Sequence, residues 1–82
     1  GDITAQARRA FDNLKAVAEA AGGSLEQIVR CGLFLTDLGQ FAQVNAVMQE
    51  YFSAPYPARS TIEVSGLPKG VLFEVEATMV LE

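Results

Sequence analysis

Two stretches near the end of the chain hold residues whose types and spacing could do chemistry: Arg59 and Thr61 in one, Glu74 and Glu76 in the other. Both stretches read as β-strands, over Ala58 to Val64 and Val71 to Leu81, because they are rich in branched and apolar residues at alternate positions. Successive strand side chains point to opposite faces. Arg59, Thr61 and Glu63 therefore share one face of the first strand, and Ser60, Ile62 and Val64 the other. In the second, Val71, Phe73, Val75, Ala77, Met79 and Leu81 form an apolar face opposite Leu72, Glu74, Glu76, Thr78 and Val80. If the two strands pair as an antiparallel hairpin, their apolar faces coincide, with Val64 opposite Val71 or an even step away. Thr61 then lies opposite Glu74, and Arg59 opposite Glu76. One face gathers an arginine, a hydroxyl and two carboxylates. Such a face has two readings. It can be a wet sheet surface with cross-strand ion pairs. It can also be a small anion site, in which the planar arginine fork grips a carboxylate and a glutamate orients or deprotonates a water. The alternation alone does not choose between them.

The elements that must position these residues are well punctuated. Asp2 can cap a helix with an apolar face of Ala7, Phe11, Leu14, Val17, Ala18 and Ala21. Gly22 and Gly23 end it. Ser24 to Gln27 reads as a short capped turn, and Ile28 to Thr36 as a buried strand. Asp37 and Gln40 have the spacing of a capping box. The helix they open runs through Phe41, Val44, Val47, Met48, Tyr51 and Phe52, and the prolines within Ser53 to Pro57 stop it. Ser65 to Gly70 joins the last two strands as a loop. The order is helix, strand, helix, strand, strand, an α+β arrangement. Cys31 reads as a small buried residue of a central strand. Tyr51 and Phe52 read as packing residues. Asn45, in mid-helix, reads as a surface residue or as a cap to a neighbouring loop.

Composition narrows the function classes. The 82 residues make one domain, 1–82. A chain of this size buries only about 60–65% of its unfolded surface, so partner chains are a natural remedy for a thin core. The net charge is −4, and Arg8, Arg9, Lys15, Arg30, Arg59 and Lys69 are scattered, so no basic stripe marks a nucleic-acid footprint. No apolar run approaches the roughly 20 residues of a membrane span. The start of the chain is polar and helix-forming, unlike a signal peptide. One cysteine excludes an internal disulfide and fits a reducing cytoplasm. The absence of histidine excludes a histidine-based triad and leaves no zinc site of the usual kind.

Several segments together carry a family resemblance. Pro57-Ala58-Arg59-Ser60-Thr61-Ile62-Glu63-Val64, then Leu67-Pro68-Lys69-Gly70, then Phe73-Glu74-Val75-Glu76-Ala77 resemble the RidA/YjgF signature. Upstream, Ala5-Gln6-Ala7-Arg8, Asp12-Asn13-Leu14-Lys15, Glu19-Ala20-Ala21-Gly22, Asp37-Leu38, Phe41 and Val44-Asn45 are similar to the same family at matching spacing. The resemblance implies a chorismate-mutase-like fold, with two helices on one face of a mixed sheet and three subunits joined around a barrel-like core. It places the active sites in clefts between subunits of a homotrimer. The implied activity is hydrolysis of 2-aminoacrylate/2-iminopropanoate and 2-iminobutanoate to 2-keto acids and ammonia, with no metal or organic cofactor. Arg59 matches the arginine that holds the substrate carboxylate, Glu74 the glutamate associated with the attacking water, and Asn45 a recurrent asparagine near the cleft. Thr61 stands where many members have cysteine. Members usually carry strands before the first helix, and the expectation is that this chain lacks them. The rival classes are a non-catalytic module that binds small carboxylates, and the endoribonuclease or translation inhibitor also described for the family. The acidic balance disfavours RNA work.

Overall fold

The fold is built from two helices and three strands; the computed structural model describes residues 2–81. Helix α1 spans Ile3–Ala20 and starts at Asp2, whose carboxylate accepts from the Thr4 N–H at 3.1 Å. Ile3, Ala7, Phe11 and Ala18 are buried at helical spacing, with Leu14 half-buried beside them. Val17, expected on this face, is 66% exposed because it lies about 100° round the helix from Ala18. At the far end the Gly23 N–H donates to Ala18 O at 2.9 Å and the Gly22 N–H to Glu19 O at 3.0 Å. This crossed pair of bonds requires a left-handed residue, and Gly22 supplies it at φ 89°. A 3₁₀ turn at Leu25–Gln27 follows, closed by the Ser24 N–H donating to Gln27 Oε1 at 3.0 Å.

Strand β1 (Ile28–Leu35) is the middle of the sheet, because Cys31, Leu33 and Leu35 are fully buried. Asp37 caps a 3₁₀ turn at Leu38–Gln40, accepting from the Gly39 N–H at 2.8 Å. Asp37 is thus the cap at the expected position, but of a 3₁₀ turn that leads into the next helix. Helix α2 (Phe41–Tyr51) follows directly and buries Val44, Val47 and Met48. Strands β2 (Ala58–Glu63) and β3 (Phe73–Met79) complete the sheet, in the order β2-β1-β3. The pair β1–β2 is parallel and the pair β1–β3 antiparallel, so the sheet is mixed.

This order corrects the hairpin expected from the sequence: β2 and β3 do not pair with each other. Residues 64–72 carry the chain from one edge of the sheet to the other, across two strand spacings or about 10 Å. A two-residue hairpin turn could not span that distance. The crossing is favoured because β1 is the most apolar strand and needs a neighbour on both sides. The faces change accordingly. Arg59, Thr61 and Glu63 lie in register with Cys31, Leu33 and Leu35, and so share the helix-covered face with Phe73, Val75 and Ala77. Ser60 and Ile62 lie in register with Gly32 and Phe34 on the other face, with Glu76 and Glu74.

Both helices pack on the Cys31–Leu33–Leu35 face. Phe11 is its hub, with ring centroids 5.5 Å from Tyr51, 5.6 Å from Phe73 and 6.2 Å from Phe52. Burying one side chain of this kind contributes about 1.5–3 kcal/mol. The helices are also joined at their rims. Arg8 Nε and Nη2 donate to the two carboxylate oxygens of Glu50 at 3.2 and 2.9 Å. The Tyr51 hydroxyl lies 2.7 Å from Asp12 Oδ1 and 3.1 Å from Arg8 O.

The Tyr51 bond has a consequence at high pH. Hydrogen bonding to the Asp12 carboxylate, then burial and the negative charges of Asp12 and Glu50, push the Tyr51 phenol up to about 12. An unfolded tyrosine titrates near about 10. The folded chain therefore holds this proton more tightly. The resulting stability is fully present below pH ~10 and is lost as the pH rises from about 10 to 12. Urea midpoints should fall across that window, and Tyr51→Phe should show a shallower fall than the parent.

Candidate functional site

Arg59 sits at the sheet edge beside α2, and the sequence explains how it gets there. Glu63, on the same face of β2, accepts from the Leu38 N–H at 2.9 Å and so ties the strand to the turn that starts α2. Phe41, Asn45 and Met48 follow at i, i+4 and i+7 on that helix, one face directed at the strand. Asn45 Oδ1 accepts from Arg59 Nη1. Met48 Sδ lies 4.0 Å from the same nitrogen. The Arg59 guanidinium carbon lies over the Phe41 ring, 5.0 Å from its centroid. Arg59, Asn45, Met48, Gln49, Tyr56 and Pro57 line an open groove of about 350 Å³. A held, exposed guanidinium in a groove of this size is suited to a small carboxylate.

Of the four residues expected at the site, the chain brings Arg59 and Asn45 into contact. Thr61 is half-buried on the same strand and the same face, about 7 Å further along. Glu74 is elsewhere. It is exposed on the opposite face of the sheet, in register with Phe34, on the strand at the other edge. Among the described residues no cation lies within ion-pair distance of it. Glu76 lies across Gly32, where a Cβ would come within 2.9 Å of Glu76 Cγ. Its carboxylate is 3.8 Å from Arg30 Nη1, so its neighbour is Arg30 and not Arg59 as the hairpin register implied. Cys31 is fully buried, and burial pushes its thiol up, away from the thiolate a nucleophile needs.

Phe41, Met48, Gln49 and Tyr56 were not singled out by sequence reasoning. Phe41 and Met48 read as core because they continue the apolar stripe of α2. The available signal was Asn45, a polar residue set between them on that stripe. A second open groove, about 540 Å³, lies between the end of α1 and the segment after α2, lined by Lys15, Glu19, Glu26 and Glu50 among others. Among the described residues no three histidine, cysteine, aspartate or glutamate side chains gather as a metal site would require. No helix is long and apolar enough to cross a membrane.

Comparison with known proteins identifies the family and the fold. The family described as Endoribonuclease L-PSP matches residues 1–81. The 2-iminobutanoate/2-iminopropanoate deaminase of Escherichia coli strain K12 is 48% identical over 96% of the chain and 64% of its own length. RidA from an Antarctic Psychrobacter superposes with a TM-score of 0.93 at 46% identity, covering 95% of this chain and 63% of that one. The structure of Escherichia coli TdcF with bound serine gives a TM-score of 0.95 at 41% identity, over all of this chain and 67% of that one. The chain thus spans under two thirds of the length of the curated relatives it matches. On the family match and these identities, the chain belongs to the RidA/YjgF family, described also as the Endoribonuclease L-PSP family.

Proposed function

We propose that this protein, a single RidA-like domain over 1–82, hydrolyses small reactive imino acids to 2-keto acids and ammonia in the cytoplasm. Its substrates in this reading are 2-aminoacrylate/2-iminopropanoate and 2-iminobutanoate. Its sites lie between the subunits of a homotrimer. One observation carries the reading: Arg59, held by α2 with its fork in a groove, is on the opposite face and the opposite edge of the sheet from Glu74. The sheet separates them within one chain. A site that uses both takes Arg59 from one subunit and Glu74 from another. The exposed face carrying Glu74 also presents Ile62, 49% exposed, and the half-buried Phe34, which suits it to a subunit contact. Relatives in Escherichia coli and Dermatophagoides farinae named as deaminases of these imino acids support the substrate class.

The chemistry asks little of the protein. A protonated imine carbon is already electrophilic. Arg59 holds the substrate carboxylate, and the Asn45 amide adds a polar contact from α2. The Thr61 hydroxyl lines the same face. Glu74 of a neighbouring subunit places a water about 3–3.5 Å from the carbon and takes its proton as the C–O bond forms. Glu74 returns that proton to nitrogen and then takes the hydroxyl proton of the carbinolamine as the C–N bond breaks, which leaves the ketone and ammonia, and the ammonia or solvent takes up the last proton. No covalent intermediate is needed, so Thr61 in place of a thiol does not block the reaction.

The test is ammonia release by the intact protein from 2-iminobutanoate generated in situ by a threonine dehydratase, with sedimentation of the same sample. A trimer that accelerates hydrolysis over buffer is the expected result. A trimer that binds 2-ketobutanoate without turnover would make it a carboxylate-binding module, and RNA cleavage without imine hydrolysis would make it a ribonuclease. A stable monomer at micromolar concentration would remove the shared site.

A further inference from the structure

The guanidinium of Arg59 offers two N–H forks to a carboxylate, the Nε/Nη2 side and the Nη1/Nη2 end. Nη1 is already engaged by Asn45 Oδ1 and lies near Met48 Sδ. Among the described residues no acceptor is within hydrogen-bond distance of Nε or Nη2. One face of the same group is covered by Phe41. Contact at one corner fixes a point, and a ring under one face fixes the plane. Together they leave the Nε/Nη2 side as the unobstructed fork.

We propose that Phe41 is a positioning residue for Arg59, setting the plane in which the Nε/Nη2 fork meets the substrate carboxylate. This rests on the carboxylate reading of Arg59 given above. A ring beneath a cation attracts it through its quadrupole, and the attraction grows as water is excluded. Without the ring, the last torsions of Arg59 turn freely about the Asn45 contact, and the substrate must order the fork at its own expense. That cost falls on binding. The proton chemistry assigned to Glu74 is untouched, so KM rises while kcat holds. Lysine has no plane to set, so the ring should matter only when residue 59 is arginine.

The experiment compares Phe41→Leu and Phe41→Tyr with the parent in the intact protein. It follows the Arg59 Nε–H resonance, assigned by its loss in Arg59→Lys, during titration with 2-ketobutanoate. Phe41→Leu should shift that resonance, weaken 2-ketobutanoate about three- to tenfold and raise KM by a similar factor. Phe41→Tyr should restore parental values, and Phe41→Leu should add nothing in an Arg59→Lys background. Unchanged affinity and resonance in Phe41→Leu would overturn the proposal. So would a loss of the same size in the Arg59→Lys background, which would make Phe41 a packing residue. If the parent bound no 2-ketobutanoate while Phe41→Leu still moved the resonance, the hold on Arg59 would stand and its carboxylate ligand would be wrong.

Discussion

Replacing Arg59 with lysine should leave the chain folded and assembled and cut kcat/KM for 2-iminobutanoate by roughly 10- to 100-fold. The charge is kept, so a purely electrostatic role would survive the change. What is lost is shape. Arginine presents two parallel N–H donors to a carboxylate, and its plane is already set by Asn45 and Phe41. Lysine offers a compact point charge on a flexible stem. Hydrogen bonds to charged groups are worth about 1.5–3 kcal/mol, which is the source of the expected range. Stability should change little, because Arg59 is exposed at a sheet edge and lies outside the buried core. Initial rates of ammonia release, with circular dichroism and sedimentation on the same samples, check the result. Near-parental turnover would mean that the fork does not bind the carboxylate.

Glu74→Gln should lower kcat by about 10²- to 10⁴-fold, the usual worth of general acid–base help. KM should hardly move, because the lost interaction with water's proton exists only in the transition state. Glu76→Gln is the informative control. It lies on the same strand and the same face, one pleat further along. Yet Glu76 rests over Gly32 beside Arg30. Removing its charge should therefore loosen that contact and leave most of kcat in place. A kcat loss in Glu76→Gln with none in Glu74→Gln would reassign the water to the other carboxylate.

The local devices of this fold were legible in the sequence because they depend on near neighbours. Asp2 caps α1, Gly22 takes the left-handed position at its end, and Cys31 falls in the buried central strand. The alternation of β3 was legible too: Phe73 is buried, and Val75, Ala77 and Met79 share its face. Strand pairing was not. A period of two says which residues share a face but not which strand lies alongside. Strands adjacent in sequence were paired across a segment that in fact passes the end of β1. That one choice put Arg59 and Glu74 on the same face, where the register separates them. Residue types at the site were readable from the family likeness, whereas their distribution over two faces required the sheet. Phe41 was hidden for a different reason. An aromatic ring on an apolar helical stripe looks the same in sequence whether it packs against a core or a cation.

Subunit mixing is the most direct measure of a shared site. Arg59→Lys and Glu74→Gln chains, each impaired alone, would be unfolded, combined in equal amounts and refolded together, and imine hydrolysis measured against the separate variants. If each site takes Arg59 from one subunit and Glu74 from another, random mixing leaves about a quarter of the sites with both native residues. Activity should then rise to about a quarter of the parental rate. If both residues acted from the same chain, every site would carry one substitution, and the mixture would stay at the average of the two variants.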